Sequence, residues 1–113
     1  MKIINVNRSC ILADKIFLAD NFFARLRGLL GFRSLDENQA MILRPSNSVH
    51  TFFMRFSIDV LFVDKNNSVV RVVRHIRPFR ATAVCLKSKF VIELPVGVID
   101  TTKTSVGDYL QIQ

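Results

Sequence analysis

The six residues Ile58–Val63, IDVLFV, constrain the fold more than any other stretch. Both alternating sets are apolar, Ile58, Val60 and Phe62 on one and Leu61 and Val63 on the other, and only Asp59 interrupts them. A strand covered on both faces reads this way, so the chain needs at least one sheet with a layer on either side. Asp59 then becomes a carboxylate close to the interior. Burying that ion costs several kcal/mol or more unless it is paired and hydrogen-bonded, so the strand demands donors. The nearest in sequence are His50, Thr51 and Arg55.

At 113 residues the chain is expected to be a single domain with a single core. Half of its residues are hydrophobic and ten are Phe, so burial can supply stability without disulfides or a metal. The two cysteines, Cys10 and Cys85, stand far apart with no zinc-finger spacing, and neither a metal nor a cofactor is expected. The start lacks the apolar core of a signal peptide, and no apolar run of about 18 residues exists to span a membrane. The expected location is therefore cytoplasmic, with both thiols reduced. The net charge of +7 comes from sixteen basic and nine acidic residues spread along the chain. Such a field suits an anionic small molecule or an acidic protein partner. Nucleic acid ranks last, because Phe79 between Arg77 and Arg80 is the clearest aromatic set among basic residues.

Short β-prone runs open the chain at 2–6, 10–12 and 15–18. Asp20 offers an N-cap to a segment in which Phe22, Phe23, Leu26, Leu29 and Leu30 recur at helical spacing, and Gly31 is its natural stop. Gly28 inside it, at a cost of about 1 kcal/mol against Ala, signals close packing or an early end. Strand character returns at 40–43. Asp64-Lys65-Asn66-Asn67-Ser68 then joins two β-branched runs as a hairpin turn, since Asn tolerates positive φ. Further strands are expected at 81–86, 90–94 and 109–112. The expected fold is mainly β: a small sandwich or barrel of about seven or more short, mostly antiparallel strands, with one short helix in the N-terminal half.

Three ordered blocks carry a resemblance: RLRGLLGF at 25–32, SVHTFFMRFSIDVLFVD at 48–64, and ELPVG at 93–97 followed by a closing GD before the last strand. Together they resemble the bacterial and archaeal domain of unknown function 192, over most of the chain from Asp20 onward. The resemblance implies a mostly β domain of sandwich or barrel type, and no activity.

A polar centre of His50, Thr51, Met54, Arg55, Asp59 and Glu93 is the first candidate site. Arg55 would clamp an anion, His50 would serve as acid or base, and Met54 would line an apolar pocket with Phe52, Phe53 and Phe56. The plainer reading is a structural network in which Asp59 caps a bulge or ties Arg55. Asp59 and Glu93 also raise a carboxylate pair of the kind hydrolases use, against a solvated or ion-paired Glu93. The second candidate is a basic face of Arg71, Arg74, Arg77 and Arg80. Strand alternation puts Arg71 and His75 on one face with Val69 and Val73, and Arg74 on the face of Val70 and Val72. Convergence of Arg74, Arg77 and Arg80 then requires the chain to turn out of the sheet before Pro78. These features point to a non-catalytic binding or accessory module for an anionic ligand or protein partner, with a small hydrolase-like enzyme as the alternative and a nucleic-acid-binding module behind it.

Overall fold

The computed structural model describes all residues from Met1 to Gln113. Eight strands form two sheets with two short helices: β1 (Ile3–Asn5), β2 (Cys10–Ala13), β3 (Lys15–Ala19), α1 (Phe22–Arg27), β4 (Gln39–Leu43), β5 (Ile58–Val63), β6 (Val69–Ile76), β7 (Phe90–Pro95), α2 (Val98–Thr102) and β8 (Leu110–Ile112). One sheet has the order β2-β1-β8 and the other β3-β4-β7-β5-β6. All pairings are antiparallel except β3 with β4, which run parallel across the α1 connection. The fold is mainly β, as the strand count implied.

The five-stranded sheet is covered on both faces, which is why every residue of β5 is buried. Against one face lie the three-stranded sheet and α2: Ile3, Leu12, Leu110 and Ile99 pack on Ile42, Leu61, Val63 and Ile92. Against the other lie no strands. The segment around α1 and the loops between β4 and β5 and between β6 and β7 contribute Leu29, Val49, Met54 and Cys85, which pack on Met41, Val60, Phe62 and Val91. Strand β7 hydrogen-bonds to β4 on one side and β5 on the other, so its alternating residues feed the two cores in turn.

The β5–β6 hairpin forms where its turn residues require it, with Asn67 at φ 61° and the Asp64 carboxylate accepting from the Asn66 and Ser68 N–H groups at 2.9 Å. Other local expectations needed correction. Helix α1 begins from Asn21, whose side chain accepts the Ala24 N–H at 2.8 Å, rather than from Asp20. It takes the early end that Gly28 signalled, stopping after six residues where that glycine's φ of 49° breaks the helix, and so never reaches Gly31. Its apolar side chains are not core: Phe22, Phe23 and Leu26 are exposed. Residues 81–86 form no strand, and the stretch contributes one isolated bridge, Ala81 to His50. Helix α2 has no marker in the sequence, where Pro95 and Gly97 signal only a strand's end. Cys10 and Cys85 are free thiols packed on opposite sides of the five-stranded sheet, out of reach of one another.

Candidate functional site

Register separates the two carboxylates. Asp59 pairs with Leu94 and Val60 with Glu93, so Asp59 and Glu93 point from opposite faces of the sheet and form no dyad. Asp59, 1% exposed, accepts three backbone hydrogen bonds: from His75 N–H at 2.9 Å, Gly97 N–H at 3.0 Å and Ile99 N–H at 3.1 Å. The first holds a bulge in β6, where Ile76 and Val73 partner Ile58 and Val60 and His75 takes φ 51°. The other two satisfy donors at the start of α2. The donors expected from His50, Thr51 and Arg55 are not the ones used, because those residues lie on a segment that covers the other face.

Thr51 is buried and clamps two loops. Its Oγ1 donates to Arg77 O at 2.6 Å and accepts the Arg80 N–H at 3.0 Å, while its backbone N–H donates to Arg80 O at 2.8 Å. Arg55 is exposed. The remaining members of the expected centre, His50, Met54 and Glu93, do come together, in a cleft of about 250 Å³ between α1 and the 46–54 segment. Leu26, Leu29, Leu30 and Leu43 supply much of the apolar lining, and Arg25 and Arg27 belong to the wall on the α1 side. Met54 also packs in the core beneath it.

Glu93 is the unusual group. It is 3% exposed and makes no side-chain hydrogen bond or ion pair within the chain, and its carboxyl is not sealed in, because it opens onto the cleft. Burial without a compensating cation pushes its carboxyl up to about 8, so near neutral pH it is largely a protonated acid, able to donate. Gly28 lies beside it: a Cβ there would stand 4.0 Å from Glu93 Oε1, an ordinary van der Waals contact. His50 is exposed and its Nδ1 accepts the Phe52 N–H at 3.3 Å, which sets the other ring nitrogen as the protonated one in the neutral form. With Asp59 behind the sheet and Arg55 in solvent, the His50, Arg55 and Asp59 centre of the hydrolase alternative is not assembled. No group of three or more His, Cys, Asp or Glu side chains is placed to hold a metal ion.

The four arginines of the basic face line a recess of about 400 Å³, together with His75 and residues 81–83. The two β6 bulges shift the faces from simple alternation. Arg71, opposite Phe62, sits with its guanidinium 5.5 Å from that ring and donates to Ala83 O at 3.1 Å. Arg74 turns toward α2 and pairs with Asp100 at 2.7 Å, in solvent on both sides. Arg77 and Arg80 are exposed on the loop beyond Ile76.

A second polar cluster carried no signal in the sequence. Buried Asn5 on β1 donates to Thr104 Oγ1 and to Asp108 Oδ2, each at 3.0 Å, and the same carboxylate oxygen accepts from Arg8 Nε at 3.0 Å and Ser105 N–H at 2.9 Å. Burial raises Asp108, but the hydrogen bonds of Asn5, Ser105 and Arg8 and the Arg8 charge together outweigh it and hold the carboxyl below its ordinary range. Asn5 and Asp108 are about a hundred residues apart, beyond any local pattern.

Comparison with known proteins agrees with this architecture. A UPF0127 protein of Thermococcus sibiricus is 37% identical over 110 residues, covering 94% of this chain and 71% of that one. A UPF0127 protein of Pyrococcus abyssi is 36% identical over 115 residues, covering 96% and 95%. The crystal structure of a protein of unknown function from Novosphingobium aromaticivorans superposes with a TM-score of 0.84 at 15% identity, over 98% of this chain and 82% of that one, a likeness of fold. The family model described as Uncharacterized ACR, domain of unknown function 192, matches residues 3–112, and the chain belongs to that family.

Proposed function

We propose that this protein is a non-catalytic binding module that takes its ligand in the cleft above β4 and β7. Its ligand is a small, largely apolar molecule that presents a hydrogen-bond acceptor to Glu93 and carries an anionic group toward Arg25 and Arg27. The observation that carries this reading is the Glu93 carboxyl, buried, without a partner in the chain and bordering an open apolar cleft. A neutral acid in such a place is a donor waiting for an acceptor, and a few polar groups within an apolar wall are what orient small ligands. The recess of Arg71, Arg74, Arg77 and Arg80 is a second contact, for an anionic molecule or an acidic protein segment.

The probe for the cleft is anilinonaphthalene sulfonate, an apolar body with one anionic group. Its affinity, read by fluorescence, is expected to fall as pH rises through about 8, because ionised Glu93 ceases to donate and repels the sulfonate. Glu93→Gln should remove that pH dependence while keeping a donor. An affinity in the parent that is flat across this range overturns the assignment. The competing enzyme reading rests on Glu93 as general acid beside His50 in the same cleft. Turnover of simple esters that is lost in both Glu93→Gln and His50→Gln would favour it.

A further inference from the structure

The cover over the Glu93 face differs from the rest of the molecule in two ways at once. It consists of residues 21–35, 44–57 and 77–89, which hold nine of the sixteen Lys and Arg residues and none of the nine Asp and Glu. The same three segments expose large apolar side chains: Phe23 is 79% accessible and Phe53 77%, and Phe22, Leu26, Phe79 and Leu86 are exposed as well. Soluble monomers rarely leave an apolar surface of this kind unused.

The side chains are presented, not merely left over. Phe53 and Phe79 both sit in the left-handed backbone region, at φ 66° and 63°, and their rings meet edge to face at 5.5 Å. That conformation is unfavourable for an aromatic residue and persists only where neighbours enforce it. Thr51 does so: its carbonyl accepts the Phe79 N–H at 3.0 Å and the Met54 N–H at 3.2 Å, and its hydroxyl bonds on either side of Phe79. On α1, Phe22 and Phe23 form a second exposed edge-to-face pair at 5.5 Å.

We propose that the surface carrying Phe22, Phe23, Phe53, Phe79, Arg55 and Arg80 docks peripherally onto an anionic phospholipid bilayer. Protruding rings from separate segments suit a fluid phase that closes around each of them, and interleaved arginines suit its anionic headgroups. A second copy of the chain is a poor occupant, because two carboxylate-free cationic faces repel. No helix is long and apolar enough to cross a membrane. Phe22 also borders the cleft, but Phe53, Arg55, Phe79 and Arg80 do not, so substitutions at these four test the surface apart from the cleft.

Co-sedimentation of the full chain with vesicles tests it. Binding is expected to vesicles of equal parts phosphatidylglycerol and phosphatidylcholine, and not to phosphatidylcholine alone. The double variants Phe53→Asn/Phe79→Asn, in which Asn tolerates the left-handed backbone, and Arg55→Glu/Arg80→Glu should each weaken binding roughly tenfold or more, with circular dichroism unchanged. Protein left in the supernatant with anionic vesicles at low salt overturns the proposal, as does binding that neither pair weakens. As an independent readout, Phe53→Trp places a lone Trp at an exposed position of the surface in a chain that has none. Its emission should shift to the blue on anionic vesicles, and an unshifted spectrum counts equally against the proposal.

Discussion

Asp59 and Glu93 lie on neighbouring strands of one sheet, each almost fully buried, and they meet opposite fates. Asp59 faces the layer made of regular structure, where the β6 bulge and the start of α2 turn three N–H groups toward it. Glu93 faces the layer made of a one-and-a-half-turn helix and loops, where no donor reaches it and a cleft opens instead. Two carboxylates at similar depth thus serve different ends: one closes the structure and the other is left available. Burial alone does not make a carboxylate functional. The donor count around it decides.

The comparison breaks most readily at Asp59. Asp59→Ala strands three backbone donors in the interior and should cost at least about 3 kcal/mol, read as a lower urea midpoint. A melt superimposable on that of the parent would remove Asp59 from the anchoring role.

The pH dependence of stability sharpens the contrast, because the two sides of the sheet should respond with opposite sign. Glu93 is raised in the folded state, so folding favours its protonated form. That stability is complete below the unfolded value of 4.5 and is lost as pH rises toward about 8, on the order of 1 kcal/mol per pH unit. Glu93→Gln should flatten that limb. Asp108 is lowered in the folded state, so its contribution is present above the unfolded value of 3.8 and is lost as pH falls through the folded one. Asp108→Asn should weaken the acid limb and leave the neutral one unchanged. Urea melts between these limits that show no Glu93-dependent slope would mean that the carboxyl finds a donor after all.

The smallest effect on stability is expected at the arginine recess. Arg77→Glu/Arg80→Glu alters exposed charges, so its cost should stay within about 0.5 kcal/mol. Its effect on an anionic partner should be large and strongly dependent on salt, because exposed charges are screened over about 8 Å at physiological ionic strength. Affinity for such a partner that is indifferent both to salt and to the double reversal would exclude this recess as the contact.

Much of the architecture was legible in advance. The strand at 58–63, covered on both faces, the hairpin turn at 64–68 and the closing strand follow from alternation and turn chemistry, which act within a few residues. The need of Asp59 for donors was equally local, since it follows from one charge in an apolar run. Where the donors come from was not, because they arrive from positions 16 to 40 residues further along the chain.

Periodicity misled at α1. Helical spacing of Phe22, Phe23 and Leu26 normally marks a face turned to the core, but the helix stops at Gly28 and leaves those side chains in solvent. The candidate site divided for a related reason. His50, Met54 and Glu93 share a cleft, while Thr51, Arg55 and Asp59 turn elsewhere, and no pattern within 48–59 encodes that partition. By itself the sequence determined most of the strands, though not the absence of one at 81–86, together with the turn, the doubly covered sheet and the excess of positive charge. The tertiary structure alone decided that Asp59 and Glu93 face apart, that Asn5 meets Asp108, and that Thr51 fixes two exposed rings. The physical reason is that a strand's alternation is local, whereas the layer each face meets is set by register, bulges and contacts between segments distant in the chain.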